Sequence, residues 1–211
     1  MRRMLMVAAA AMLGAAAAAA GAGDVTLVRD GEPAASIAAP ADGPPAEAAR
    51  VMQKYVREMT GAELPIAREP GDGRENRLVF RTRDGAAELD GYRIRAEGRR
   101  VIVEASVPRG CIYGAYGLLR RLGCRFYGRE PLGIVVPERS ALAVPGDLDM
   151  RREPDFENRL PSFGGPRQYV RWGLNFAHDP GSRSRREIVK KLGLKTWAWG
   201  HRWPQLVEKQ Y

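Results

Sequence analysis

Cysteine and histidine are scarce in this sequence. Its 211 residues include two cysteines, Cys111 and Cys124, and two histidines, His178 and His201. Because no metal-ligand spacing or nucleophile motif accompanies them, we expect neither a metal site nor a cofactor. If one helix separates the two cysteines, they lie about 18 Å apart, whereas bridged cysteines need Cα atoms within about 7 Å. We therefore predict two buried free thiols.

Acidic residues are also in short supply, with 25 against 34 lysines and arginines and a formal net charge of +9. The basic residues are spread along the chain and interleaved with Asp and Glu, which argues against a nucleic-acid-binding patch. A positive surface still favours acidic glycans or anionic envelope polymers through long-range attraction.

A charge-free apolar run over residues 4–20 follows Arg2 and Arg3. It ends in alanines and a glycine that fit a signal-peptidase site, which predicts a cleaved signal peptide over residues 1–22 and a secreted or periplasmic protein. A retained membrane anchor is the alternative, but the run is short and its alanines are weakly apolar. We expect no stable membrane anchor.

Two helices are predicted by apolar residues at spacings of three and four. The first has Tyr55 on its apolar face, begins near Pro45 and ends before Gly61. The second runs from about residue 110 to a terminating glycine, Gly123. Within it Gly114 and Gly117 each cost about 1 kcal/mol relative to alanine, which indicates close packing of the backbone against a sheet or another domain.

Strands are predicted around these helices. Residues 24–38 resemble a hairpin turning at Asp30 and Gly31, residues 78–80 form a short apolar strand, and residues 91–97 and 100–105 alternate as an antiparallel pair. We predict an α+β domain over residues 24–150, with a mixed or antiparallel sheet of four to six strands. Both helices cover one face of this sheet and the other face is solvated. The proline-rich stretch from residue 131 to Arg152 is predicted to be a weakly structured exit.

Residues 109–127, RGCIYGAYGLLRRLGCRFY, resemble a segment of the non-catalytic N-terminal domain of secreted glycoside hydrolases. These hydrolases are of the α-glucuronidase and β-hexosaminidase type and include related uncharacterised exported proteins. The order of the elements over about residues 45–160 agrees with that domain. The resemblance implies that a (β/α)8 barrel follows, with residues 153–159 matching its start. It also implies that the matched residues are not catalytic.

Residues 151–211 are too few for such a barrel, which takes about 250 residues. One helix near 186–192 and one strand near 195–199 are predicted there, as an incomplete start of the catalytic barrel. In the resembled family the catalytic acids come from later strands, so we expect this chain alone to be inactive. Asp155 and Glu157 would share a strand face at the start of the barrel, but no catalytic pair is assigned.

The tryptophans all lie in this last part of the chain. Trp197, Trp199 and Trp203 could stack on a sugar, although filling a barrel core or an interdomain seam is the favoured interpretation for them and for Trp172. His201 follows Gly200 in a motif similar to one at the barrel mouth of the exported relatives, so a substrate contact is predicted for it. His178 is interpreted as a surface-loop residue.

The sequence thus predicts the non-catalytic N-terminal domain of an exported, α-glucuronidase-like carbohydrate-active enzyme. The domain would support a barrel through the face carrying Gly114 and Gly117. Its partner would be a polysaccharide or oligosaccharide, possibly acidic, and no nucleic acid. Two alternatives stay open: a non-enzymatic secreted glycan-binding or envelope module, and a truncated gene product. The sugar, the linkage, the oligomeric state and whether Tyr211 is the natural C terminus are not specified.

Overall fold

The computed structural model describes residues 23–67, 75–128, 131–160, 164–178 and 182–197. These residues form four helices and four sheets. The elements in chain order are β1 (Val25–Arg29), β2 (Glu32–Pro33), β3 (Ala35–Ala38), α1 (Gly43–Thr60), β4 (Ile66–Ala67), β5 (Asn76–Thr82), β6 (Tyr92–Glu97), β7 (Arg100–Ala105), α2 (Gly110–Arg121), β8 (Arg125–Phe126), β9 (Ile134–Val135), β10 (Leu142–Val144), β11 (Asp149–Arg152), α3 (Pro166–Arg171), β12 (Phe176–His178), α4 (Arg183–Lys191) and β13 (Lys195–Trp197).

The main sheet has six strands in the order β11-β6-β7-β5-β3-β4. Strands β4, β3, β5 and β7 run parallel, β6 pairs antiparallel with β7, and β11 pairs antiparallel with β6 at the edge of the sheet. In the parallel register Phe80 lies opposite Val103, which also pairs with Ile94 across the antiparallel ladder. The predicted α+β class is confirmed, and of the predicted mixed or antiparallel sheet of four to six strands the structure shows a mixed sheet of six.

Both predicted helices are present and pack on one face of this sheet. Helix α1 ends at Gly61, whose φ of 77° is the left-handed conformation that glycine adopts without strain. Helix α2 spans twelve residues, so Cys111 and Cys124 lie at its opposite ends as two buried free thiols, as predicted. Between the helices, Tyr55 and Tyr116 meet Phe126 edge to face at 5.3 and 5.0 Å between ring centroids.

The glycines of α2 face the sheet of the same domain. A Cβ atom on Gly114 would lie 2.4 Å from Cγ1 of Val103, and one on Gly117 would lie 2.3 Å from the hydroxyl of Tyr92. Close packing against a sheet is thus confirmed. The prediction that this glycine face supports the next domain is wrong, because β6 and β7 already occupy it.

The opposite face of the sheet is charged but not simply solvated. Glu104 is fully buried there, and Arg81, Arg83 and Arg95 all form ion pairs with its carboxylate. Burial alone would raise the pKa of Glu104, but the hydrogen bonds and charges of Arg81 and Arg95 hold it below its ordinary value. Ile102, on the same face, is also buried. The predicted solvation is wrong at these two positions.

Two local predictions for the strands are corrected. Asp30 and Gly31, at φ values of 52° and 80°, form the predicted turn, but it joins only β1 and β2. Residues 35–38 cross to the main sheet as β3. The predicted weak exit before Arg152 contains β10, which pairs with β1, and β11, which pairs with β6. Short strands like these are stabilised by distant partners that local patterns do not reveal.

The final described segment forms a small parallel unit, β12-α4-β13. The predicted helix and strand correspond to α4 and β13, whereas the short helix α3 was not predicted. Residues 153–160 are all described and form no strand, so Asp155 and Glu157 do not share a strand face. The domain boundary near residue 150 stays a prediction, and β11 continues the main sheet to Arg152. In the described part of the chain, no helix is long and apolar enough to cross a membrane.

Candidate functional site

The contact between residues 24–152 and residues 153–197 contains two clusters of buried carboxylates and cations, and we call it the seam. At its centre lies Asp90, whose side chain is 1% exposed. Arg109 Nε and Arg159 Nη2 donate to its two carboxylate oxygens at 2.9 and 2.7 Å. Asn175 Nδ2 donates to the same carboxylate at 3.0 Å. The carboxylate of Asp90 thus binds two side chains that belong to residues 153–197.

Local backbone packing places Asp90 beside Arg109. Asp90 precedes β6, and Arg109 lies immediately before α2. A Cβ atom on Gly110 would lie 2.6 Å from the carbonyl oxygen of Gly91 and 2.6 Å from Cβ of Ala105. Only glycine lets the start of α2 approach the strands this closely.

Asn175 organises the other side of the cluster. It is fully buried, and its side-chain oxygen accepts a hydrogen bond from the backbone N–H of Arg159 at 2.9 Å. Arg159 Nε donates to the carbonyl of Gly173 at 2.7 Å. These bonds fix the chain before β12 in the orientation that directs Arg159 towards Asp90.

The electrostatics of Asp90 favour a structural role. Burial by itself would raise its pKa, but the hydrogen bonds and positive charges of Arg109 and Arg159 outweigh burial and hold the pKa below its ordinary value. Asp90 is therefore ionised near neutral pH, with its oxygens occupied by donors. A carboxylate in this state cannot serve as a general acid.

Glu47, in the first turns of α1, is the second anchor of the seam. Its side chain is 5% exposed and lies 2.9 Å from Lys191 Nζ of α4 and 3.4 Å from Arg167 Nη1 of α3. Arg50 completes the group at 3.2 Å. Burial would raise the pKa of Glu47, but Lys191, Arg50 and Arg167 together lower it. Both anchors are thus carboxylates within residues 24–152 that bind cations within residues 153–197.

Hydrogen bonds to backbone carbonyls extend the seam along α2. Tyr113 donates its hydroxyl proton to the carbonyl of Leu174 at 2.9 Å, and Arg109 Nη1 donates to that of Gly193 at 3.3 Å. In the opposite direction, the indole N–H of Trp172 donates to the carbonyl of Phe126 at 3.1 Å. Trp172 therefore belongs to the seam, which is the interpretation that the sequence favoured for it.

Apolar side chains close the seam around these polar contacts. Residues of α3, β12, α4 and the turn after α4 join the same hydrophobic cluster as the main sheet and its helices. These residues are Tyr169, Val170, Ala177, Val189, Leu192 and Leu194. Gly193 lies so close to α1 that a Cβ atom there would meet Pro44 Cγ at 3.0 Å. Residues 153–197 thus pack onto residues 24–152 and share one continuous hydrophobic core with them.

A cavity of about 260 Å³ opens where the polar cluster reaches the surface. Asp90, Tyr113, Asp155 and Trp172 are among its lining residues. Glu157, the other carboxylate considered from the sequence, pairs instead with Lys195 at 3.1 Å. The structure therefore does not bring Asp155 and Glu157 together as a catalytic pair.

The predicted substrate contacts stay untested. The backbone of Trp197 pairs with His178 in the β12 and β13 ladder, but the side chain of Trp197 lies outside the described residues. Trp199, His201 and Trp203 lie outside them altogether. Within the described ranges, no group of three or more His, Cys, Asp or Glu side chains is placed to hold a metal ion.

Sequence reasoning missed most of the seam. Asp90, Arg109 and Asn175 lack local periodicity, and Glu47 was absent from the helix pattern because that pattern counted apolar residues only. Arg159 stands out in the sequence only as part of the segment that resembles the start of a barrel. A signal was available in the polar residues Asp90 and Arg109, which flank elements otherwise rich in buried residues.

Comparison with known proteins identifies the family. Residues 17–124, just over half of the chain, match the family described as glycosyl hydrolase family 20, domain 2. The chain therefore belongs to this family and carries the non-catalytic N-terminal domain of glycoside hydrolases, as the sequence resemblance implied. No match was found among proteins with curated descriptions.

Solved structures share the fold. A family GH115 4-O-methyl-α-glucuronidase with specificity for decorated arabinogalactans superposes with a TM-score of 0.65 and 17% identity, over 83% of this chain and 30% of that one. A mutant Streptomyces plicatus β-hexosaminidase in complex with GlcNAc superposes with a TM-score of 0.50 and 17% identity, over 75% of this chain and 31% of that one. The Streptomyces coelicolor GH20 β-N-acetylhexosaminidase superposes with a TM-score of 0.50 and 14% identity, over 84% of this chain and 44% of that one. This chain thus spans less than half the length of each.

Proposed function

We propose that this chain is the N-terminal part of an exported glycoside hydrolase in which the α+β domain supports a catalytic (β/α)8 barrel. The observation that carries the proposal is the seam. Asp90 and Glu47 bind Arg159, Arg167 and Lys191, which surround a parallel β12-α4-β13 unit of the kind that builds such barrels. The domain therefore works by positioning the first strands of the barrel, with no chemistry of its own.

The substrate class is proposed from the relatives. The superposed structures include an α-glucuronidase and β-hexosaminidases, so the complete protein is expected to hydrolyse a polysaccharide or oligosaccharide. An α-glucuronidase-like activity is the first candidate, from the sequence resemblance of residues 109–127. A β-N-acetylhexosaminidase activity is the second, because the matching family is domain 2 of glycosyl hydrolase family 20. In this proposal His201 contacts the sugar near the barrel mouth, and Trp197, Trp199 and Trp203 are the candidates for stacking on it.

Export is proposed from the N-terminal sequence. Arg2 and Arg3 precede an uncharged, alanine-rich run that ends in small residues, which is the pattern of a cleaved signal peptide. N-terminal sequencing of the mature protein from the exported fraction tests this directly. We expect a new N terminus at residue 21 or 23, after one of the two small-residue patterns, and an intact Met1 would contradict export.

The mass and activity of the native protein test the enzymatic proposal. The protein is isolated from the exported fraction, and its hydrolysis of an aryl α-glucuronide and an aryl β-N-acetylhexosaminide is measured. We expect a mass that corresponds to several hundred residues more than this chain has, with hydrolysis of at least one substrate. A mass that corresponds to a chain ending at Tyr211, without hydrolysis, would refute the enzyme and leave the binding-module or truncated-gene alternatives.

A further inference from the structure

A second cleft, separate from the seam cavity, lies between the C-terminal end of α2 and the β6–β11 edge of the main sheet. Its volume is about 310 Å³, at the lower end of the range of about 300–1,000 Å³ for small-molecule sites. We call it the arginine cleft. Its main lining residues are Tyr92, Arg120, Arg121, Arg125, Met150 and Arg152.

The four arginines of this cleft differ from most others in the molecule. On the outer sheet face, arginines such as Arg81, Arg93 and Arg95 pair with Glu104 or Asp149. Among the described residues, no carboxylate lies within ion-pair distance of the four cleft arginines, and none lines the cleft. The cleft thus concentrates positive charge with no acidic side chain to balance it.

The contacts of Arg120 illustrate this imbalance. Its guanidinium donates to the carbonyl of Arg171 and lies over the ring of Phe126, with 5.6 Å between the guanidinium carbon and the ring centroid. Both partners are neutral. Because partial removal from solvent is not offset by an anion, the pKa of Arg120 is lowered. A bound anion would supply the charge that the protein does not provide.

The other lining groups suit a sugar. The hydroxyl of Tyr92 lies against Gly117 at the floor of the cleft, where it can exchange hydrogen bonds with sugar hydroxyls. Met150 and the phenol ring add apolar surface of the kind that covers the C–H face of a sugar ring. Binding of nucleic acid would need an extended row of cationic side chains. The four arginines instead form a compact cluster, which suits a single charged sugar residue.

We propose that the arginine cleft binds a carboxylate-bearing sugar residue of an acidic polysaccharide. Arg121 on α2 and Arg152 on β11 hold the carboxylate from opposite walls, with charge-assisted hydrogen bonds that are strongest when bidentate. The choice of a polysaccharide over other anionic polymers rests on the proposed glycoside hydrolase function. The cleft would retain the enzyme on an acidic polymer during hydrolysis.

Equilibrium binding of tetragalacturonate to the complete native protein tests this assignment. Arg121→Gln and Arg152→Gln are each expected to weaken binding about tenfold, and Arg121→Lys is expected to restore part of it. Arg57→Gln is the matched control, because Arg57 is exposed, pairs with Glu63 and does not line the cleft. Neutral xylotetraose should bind the glutamine variants and the control equally, and binding of tetragalacturonate should weaken as salt increases.

Three results would overturn the assignment: equal binding of tetragalacturonate by the glutamine variants and the control, an equal loss of xylotetraose binding in the glutamine variants, or inorganic sulfate binding as tightly as tetragalacturonate. Tighter binding of a single-stranded oligonucleotide of equal charge would also overturn it. Hydrolysis of a small aryl glycoside is measured on the same variants and should not change. If no glycoside is hydrolysed while the binding pattern holds, the enzymatic proposal fails and the cleft assignment stands.

Discussion

Gly114 of α2 and Val103 of β7 are in such close contact that a Cβ atom on the glycine would lie 2.4 Å from Cγ1 of the valine. Val103 is fully buried in the centre of the main sheet and is stiff at χ1, so it cannot turn away easily. The helix therefore sits on the sheet at a distance that only glycine allows.

Overpacking in Gly114→Ala should destabilise the protein by about 1–3 kcal/mol. The higher helix propensity of alanine should offset about 1 kcal/mol of this loss. Urea unfolding at pH 7 measures the change. Val103→Ala should itself destabilise the protein but make room for the new methyl group. The double variant should therefore lose less stability than the sum of the two single variants, and strict additivity would contradict the contact.

Asp90→Asn should loosen the seam while leaving the main sheet folded. The substitution leaves Arg109 and Arg159 with no carboxylate between them, and removing one member of a buried ion pair costs about 3–5 kcal/mol. Amide hydrogen exchange should show faster exchange in β12 and the chain around Arg159, with β5 and β7 unchanged. Asp149→Asn is the control, since this exposed partner of Arg93 should contribute less than about 1 kcal/mol. Equal effects of the two substitutions would refute the central role of Asp90.

Acid should destabilise the protein through its buried carboxylates. The pKa values of Asp90, Glu47 and Glu104 are below their ordinary values because cationic partners outweigh burial. Their stabilisation is fully present above the unfolded-state pKa values, about 4, and is lost as pH falls through the lower folded-state values.

The free energy of unfolding in urea should accordingly be nearly constant from about pH 7 to 5 and fall below about pH 4. In Asp90→Asn the fall should be shallower, because one of the three carboxyl groups no longer titrates. An identical slope in that variant would show that Asp90 does not contribute to the acid sensitivity.

Both thiols should resist modification in the folded protein. Burial raises the pKa of Cys111 to about 12 and that of Cys124 to about 11, so almost no thiolate forms at pH 8. A chromogenic disulfide reagent should therefore label neither cysteine under native conditions and both in concentrated urea. Rapid native labelling would indicate that α2 is less well packed than the structure shows.

The two long helices, the α+β class and the free thiols could be predicted from the sequence because they depend on local pattern. Periodic apolar residues and terminal glycines specify α1 and α2, and the rise per residue of a helix separates Cys111 from Cys124. Alternation likewise predicts β6 and β7, which are joined by a two-residue turn. Such features need only neighbours within about a dozen residues.

The partners of these elements were decided by the tertiary structure. The outer face of the sheet was mispredicted because no local pattern shows that three arginines converge on Glu104. Asp90 meets Asn175 across 85 residues, and Glu47 meets Lys191 from the far end of the described chain. Contacts between such distant residues depend on how all the intervening elements pack. The sequence alone determined the two long helices and the α+β class, whereas the tertiary packing decided how the strands pair and which residues each face contacts.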